Sequence, residues 1–438
     1  MNREASHALF ARNRQWIPGG TVSLNRKVDP AIAFVRGKGA HLWDADGNRY
    51  VDYHAAFGPY LLGHNHPRVE EAVCQAQTDG WTLTGTGTTP WEGRGAELFL
   101  SCVTTADRVQ FTNTGSEATA LAVRLARAVT GRTDLVLMQG GYNGWQDDVA
   151  CNVMTPLEHV GPQRTDGEYP WRPLSAGIPE TVGAQTHVIE FNSVEAIEWA
   201  LSTHRPAAVL MEPILQNIGV VKPRPGYLAA VRALCDRHGA VLIFDEVKTG
   251  FRHALGGYQS VEGVRPDLST FGKAIANGYP LGAVAGRSEI MDRFDDPDPA
   301  RRVLIAGTYN GHPIPVAAAI ATMELLREHD GAVYEELEAK TAGLTEAITE
   351  VFCRHGRPVT VARQASAFCL YFMERAPESW HDLAAHHDMA ADTSLRKALI
   401  DRGIYVFPLP TKQWSVSAAH APEDFDATLD ALEFVLPR

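Results

Sequence analysis

Val241-Leu-Ile-Phe-Asp245-Glu246-Val247 is an apolar run that closes on two carboxylates, and 28 residues (273 − 245) beyond its aspartate stands Lys273, in Ser269-Thr-Phe-Gly-Lys273-Ala-Ile-Ala-Asn-Gly-Tyr-Pro-Leu-Gly. An unbroken apolar run reads as a strand buried on both faces, and in open α/β sheets ligands bind beyond the carboxyl ends of such strands. Asp245 could there meet a cationic nitrogen of a ligand; alone, it could equally be a strand-end aspartate capping a turn. Lys273 is a lone lysine among small and apolar neighbours, with Gly278 and Pro280 behind it. Desolvation disfavours the charged amine, lowers its pKa and leaves a nucleophile for a carbonyl. Taken alone, this pattern also fits a lysine snorkelling from a helix start.

Upstream, Phe111-Thr-Asn-Thr-Gly115-Ser116-Glu117-Ala118 runs from a strand-like segment into a helix with Leu121, Leu125 and Ala128 on one face. Free N–H groups, a hydroxyl and the helix dipole make an anion site, although a plain N-cap has the same sequence pattern. Leu135-Val-Leu-Met, Ala207-Ala-Val-Leu-Met211 and Ala240-Val-Leu-Ile-Phe244 are further buried-strand runs, the last two separated by a helical stretch from Gly226 to His238. Apolar strands alternating with helices predict an α/β domain with a mostly parallel sheet. The expected division is an N-terminal arm over 1–62, a large domain over 63–311 and a smaller α+β domain over 312–438. The arm carries a hairpin turn at Asp44-Ala-Asp46-Gly47-Asn48.

The three elements together, an anion cradle, a strand-end acid and an apolar-flanked lysine, are what pyridoxal 5′-phosphate (PLP) requires. It binds lysine as a Schiff base, and an acid keeps its ring nitrogen protonated. Composition agrees with a small-molecule enzyme. A net charge of −12, with no basic run, argues against nucleic acid. The six scattered cysteines form no C-x-x-C pair, which suggests neither a metal centre nor a disulfide framework, and fits a reducing cytoplasm. The first 14 residues have no apolar stretch resembling a signal peptide, and no run of about 18 apolar residues suggests a membrane span.

Across nearly its whole length the chain resembles the class III aminotransferases of PLP fold type I, in the branch of glutamate-1-semialdehyde 2,1-aminomutase and the β-amino-acid (β-phenylalanine) transaminases. The resemblance rests on Gly63-His-Asn-His-Pro67, Asn113-Thr-Gly-Ser-Glu-Ala118, Tyr142-Asn-Gly-Trp145, Glu212-Pro213, Asp245-Glu-Val-Lys-Thr-Gly-Phe-Arg252, Gly272-Lys273 and Gly307-Thr-Tyr-Asn-Gly-His-Pro313. It implies a large domain with a seven-stranded type of sheet and a smaller C-terminal domain. It also implies that Lys273 carries the Schiff base and shuttles the proton, and that Asp245 pairs with the ring nitrogen. Val247 and Tyr142 would cover the two ring faces, Gly115 and Ser116 would bind the phosphate, and Asn217 would lie on the ring-hydroxyl side. Thr308 would complete the phosphate site from the neighbouring subunit of a homodimer with shared active sites. Glu212 is expected to be structural.

For the substrate, Gly19-Gly20-Thr-Val-Ser23-Leu-Asn-Arg26 matches the aminomutase segment whose arginine binds a carboxylate, a task suited to a planar guanidinium. Aminomutases carry a glutamate in the loop before Ser417-Ala-Ala-His420. Here no acid lies between Asp401 and Glu423, and Lys412 falls near the glutamate's position. The expected activity is therefore amino transfer from a carboxylated amine, β-amino acids included, to an α-keto acid, with Lys412 meeting the acceptor's carboxylate. The alternatives are an aminomutase-like isomerase and a PLP lyase or phospho-lyase. The 154–180 insert stands where aminomutases have a mobile gate.

Overall fold

In the computed structural model the described residues are 1–161, 164, 166–436; residues 162, 163 and 165, inside the 154–180 insert, lie outside them. The chain forms two compact units. One comprises Met1–Pro67, Glu335–Ala376 and His387–Arg438, and the other Arg68–Tyr334 and Pro377–His386.

The second unit is built on eight strands, β1 (Arg108–Thr112), β2 (Leu135–Met138), β3 (Glu168–Tyr169), β4 (Thr186–Ile189), β5 (Ala208–Met211), β6 (Val241–Asp245), β7 (Leu268–Phe271) and β8 (Gly282–Gly286). Their order is β1-β8-β7-β6-β5-β2-β4-β3. The run β7-β6-β5-β2-β4 is parallel throughout, whereas β8 is antiparallel to both β7 and β1. The seven longer strands are the sheet expected for PLP fold type I, and the two-residue β3 pairs antiparallel at one edge. Every residue of β2, β5, β6, β7 and β8 is buried, as both-face coverage requires.

Helix α1 (Gly115–Thr130) covers one face. Its Ala122, Val123, Leu125 and Ala126 pack with Leu135, Leu137, Ala208, Leu210, Val241, Ile243 and Leu268, which are alternate residues of their strands. Alanines at i and i+4 let the helix lie close to the sheet. The helices predicted around 226–238 and 314–327 are α2 (Tyr227–His238) and α3 (Pro313–Arg327). α3 belongs to this unit, next to Pro90–Cys102. All the parallel strands end on one edge, so the loops after β1, β2, β5, β6 and β7 share that edge.

In the first unit the predicted hairpin forms between His41–Asp44 and Arg49–Asp52, with Asp44 Oδ1 accepting the N–H groups of Asp46 and Asn48 at 3.0 and 2.8 Å. Arg49–Asp52 also pairs in parallel with Ile404–Tyr405, which stitches the N-terminal arm to the C-terminal segment. A small antiparallel sheet joins Thr360–Gln364, Ala367–Tyr371 and Trp414–Ser415. No described helix is long and apolar enough to cross a membrane.

Candidate active site

Asp245 is the last residue of β6 and is buried. Its neighbour in register on β7 is Thr270, whose hydroxyl donates to Asp245 Oδ1 at 3.1 Å; the Val247 N–H donates to the same oxygen at 3.0 Å. Asn143, in the loop after β2, donates from Nδ2 to Oδ2 at 2.9 Å. A carboxylate offers about four acceptor positions. The three donors fix the group and leave room on Oδ2 for a further N–H. Burial pushes the carboxyl upward, against these donors and the nearby Lys273 amine, which favour the charged form.

Lys273 is the second residue after β7, so the 28-residue spacing is one crossover between adjacent parallel strands. Burial pulls its amine below the ordinary lysine value, while the Asp245 and Glu212 carboxylates oppose that shift. Its backbone is left-handed, at φ 49°, a conformation that costs a non-glycine residue on the order of 1–3 kcal/mol and gathers at functional sites.

The start of α1 is closed by a reciprocal cap between Thr114 and Glu117. A Cβ on Gly115 would fall 2.6 Å from Val247 Cγ1, so only glycine lets the helix start approach the segment after β6 so closely. Val247 also lies against Gly272, where a Cβ would come within 3.3 Å of the same methyl. Gly115, Val247 and Gly272 thus bring the candidate anion cradle, the loop after β6 and the segment that carries the lysine together. Ser116 Oγ accepts the Trp145 N–H at 3.3 Å, which ties the cradle to the Tyr142–Trp145 loop. The half-buried Tyr142 donates its backbone N–H to Glu212 Oε1 at 2.9 Å, and Asn217 Nδ2 donates to the same oxygen at 2.9 Å.

One unit therefore gathers Lys273, Asp245, Gly115, Ser116, Tyr142, Asn217 and Val247. Thr308 is in the same unit and exposed. Arg26 and Lys412 belong to the other unit. There Arg26 ends a short turn, is exposed, and lines a cavity of about 740 Å³ with His54, Phe57, Tyr60, Tyr405 and Phe407. The backbone carbonyl of Lys412 accepts Arg396 Nη2 at 2.8 Å. Residue-type reasoning overlooked Asn143 and Thr270 as supports of Asp245. Thr270 was legible in principle, since a parallel neighbour of Asp245 must supply a residue opposite it. Asp134, His187 and His204 lie near enough together to suggest a metal site, but the two imidazoles stack at 3.5 Å and 14°, so their lone pairs run side by side instead of converging.

An acid with acceptor room at a strand end, a desolvated amine just after the next strand and a glycine-started helix suit PLP's ring nitrogen, aldehyde and phosphate respectively. The family profile of aminotransferase class-III matches residues 23–413. The chain belongs to the class III aminotransferases. It is a PLP-dependent enzyme of that family, on the α/β architecture of PLP fold type I. It is 39% identical over 437 residues to a glutamate-1-semialdehyde 2,1-aminomutase from Syntrophobacter fumaroxidans, covering 98% of this chain and 97% of the relative. It is 36% identical over 442 residues to the enzyme of that name from Syntrophomonas wolfei, covering 100% and 98%. Among solved structures, an omega-transaminase from Sphaerobacter thermophilus superposes with a TM-score of 0.91 at 31% identity, covering 99% of this chain and 97% of that one. A β-phenylalanine aminotransferase from Variovorax paradoxus gives 0.84 at 28% identity, covering 99% and 95%.

Proposed function

We propose that this enzyme moves an amino group on a small carboxylated amine, with Lys273 as the proton-moving amine and Arg26 as the carboxylate anchor. The observation that carries the reading is the pairing of a desolvated amine after β7 with a donor-fixed carboxylate at the end of β6. PLP, when bound, carries the amino group and delocalises the electron pair left on the substrate carbon. Asp245 holds a proton at the ring nitrogen. Lys273 Nζ, held toward its neutral form by burial, takes the proton from the carbon that bears the amine and returns it during transfer. Val247 and Tyr142 bracket the ring, Asn217 orients its hydroxyl side, and the first turn of α1 at Gly115 and Ser116 takes the phosphate. Thr308, on the exposed segment before α3, completes the phosphate site of a second copy in a homodimer. The six cysteines take part in no disulfide, which supports a reducing, cytoplasmic setting.

Relatives at 36–39% identity, matched over nearly their full length, support an intramolecular exchange on glutamate-1-semialdehyde as the leading reaction. A second reading, intermolecular transfer from a β-amino acid to an α-keto acid, is favoured by the loop before Trp414–Ser415. That loop carries Lys412, and no acid lies between Asp401 and Glu423 to favour a diamine-bearing species.

The test mixes holoenzyme with one amine at a time and no keto acid. Catalytic conversion of glutamate-1-semialdehyde to 5-aminolevulinate establishes the first reading. Bleaching of the visible cofactor band by 3-amino-3-phenylpropanoate, with turnover only after a keto acid is added, replaces it with the second. Inertness toward every carboxylated amine overturns both. Arg26→Ala should raise KM for carboxylated amines and leave a neutral arylamine unaffected; equal losses for both would remove Arg26 from the site.

A further inference from the structure

Glu212 follows β5 directly, is 1% exposed, and makes three hydrogen bonds that are all of one kind. Oε1 accepts the Tyr142 backbone N–H and the Asn217 side-chain amide, both at 2.9 Å, and Oε2 accepts the Gln216 N–H at 3.0 Å. One buried carboxylate thus holds the two residues expected at one ring face and at the ring's hydroxyl edge, although they stand 75 residues apart (217 − 142). All three partners are N–H donors, which a carboxylate, an acceptor on both oxygens, satisfies; they favour its charged form against the burial that raises its carboxyl.

The loop that follows is pinned from behind. Lys248 Nζ donates to the Gln216 carbonyl at 2.7 Å, and Gln216 Nε2 meets His253 Nε2 at 2.6 Å. Gln216, Lys248 and His253 are all buried. Lys248 is the residue next to Val247, so the segment that presents Val247 to the ring also grips the segment that presents Asn217. Residues 215 and 221 bridge across the same loop and close it into a narrow hairpin.

We infer that Glu212 is a positioning residue: it sets Tyr142 and Asn217 against the cofactor as a pair, and the Lys248–Gln216–His253 cluster keeps the 212–217 loop in register with Val247. Glu212 touches neither the substrate nor the cofactor in this scheme. The inference rests on the cofactor assignment and is independent of which amine is the substrate.

The experiment follows cofactor retention and the visible band of purified holoenzyme, without substrate, for the wild type, Glu212→Gln, Asn217→Ala and the double variant. Glutamine must turn an NH2 group toward N–H donors, so Glu212→Gln is expected to release PLP about tenfold or more readily, the loss expected when buried donors are left unsatisfied. The band and its pH titration should shift too, because the groups around the ring have moved. Asn217→Ala should add little in the Glu212→Gln background, since the two act through one contact. Wild-type retention with an unmoved band in Glu212→Gln, or full additivity in the double variant, overturns the inference. Should Glu212→Gln fail to fold, Lys248→Met reports on the same loop. A band shift without loss of folded protein supports the inference, and an unmoved band sinks it. Substrate specificity enters none of these readouts, so they stand whichever amine proves to be the substrate.

Discussion

Adding one methyl group at Gly115 should loosen the cofactor through Val247. A Cβ there would sit 2.6 Å from Val247 Cγ1 and 2.7 Å from Cγ2. Carbon atoms in contact prefer about 3.5–4.0 Å, so roughly 1 Å must be made. Val247 has little freedom to retreat, because its backbone N–H is committed to Asp245 Oδ1 at 3.0 Å. Overpacking of this kind costs about 1–3 kcal/mol. If binding the phosphate and ring requires the original spacing, PLP affinity falls roughly 5- to 150-fold, at about 1.4 kcal/mol per factor of ten. Equilibrium dialysis of holoenzyme, with absorbance of the bound cofactor as readout, measures the loss. Gly115→Ala/Val247→Ala deletes both clashing methyls, so Gly115→Ala should be nearly neutral when introduced into Val247→Ala. Wild-type affinity in Gly115→Ala, or an undiminished loss in the Val247→Ala background, would refute the packing argument.

Thr270→Val keeps the shape of β7 and removes the 3.1 Å hydrogen bond to Asp245. That bond favours the carboxylate, so its loss should raise the Asp245 pKa and move the acid limb of the activity profile to higher pH; an unmoved limb would contradict the role given to Thr270. Borohydride reduction of wild-type holoenzyme should tag Lys273, and mass spectrometry of Lys273→Ala should find no tag, whereas labelling of Lys248 would reassign the nucleophile. Glu246 is buried and its carboxyl is raised from 4.5 to about 7 by that burial. A raised acid stabilises the fold fully below its unfolded pKa and loses that contribution as pH rises through its folded one. The wild type should therefore lose thermal stability between about pH 4.5 and 7 relative to Glu246→Gln, and melting curves with a constant difference across that window would exclude Glu246 as the cause.

Much of the candidate site can be nominated from sequence because its chemistry is written in residue types beside apolar strands. Asp245 closes an unbroken apolar run, Gly115 starts a helix with a clear apolar face, and Lys273 stands among small and apolar residues just after a strand. The strands β4, β7 and β8 were harder. β8 is Gly-Ala-Val-Ala-Gly, whose small residues carry little hydrophobic signal, and its reversed direction depends on packing between β1 and β7. β4 is only four residues long and begins with a threonine and a histidine.

The sequence by itself pointed to the family and the cofactor, through motifs that resemble those of class III aminotransferases, and it nominated Lys273 and Asp245 as the lysine and acid, because these residue types stand beside recognisable strands. Only the tertiary structure decided what holds them. Asn143 and Thr270 approach Asp245 from positions 102 and 25 residues away in the chain, and Glu212 reaches back to Tyr142 across 70. Strand order creates those contacts, and it is set by burial of both sheet faces rather than by any local pattern. The same holds for the first unit, where Arg49–Asp52 pairs with Ile404–Tyr405 across most of the chain's length. A hydrogen-bond partner can be named from sequence only when the backbone between the two groups is short enough to dictate their distance; here it is the sheet that dictates it.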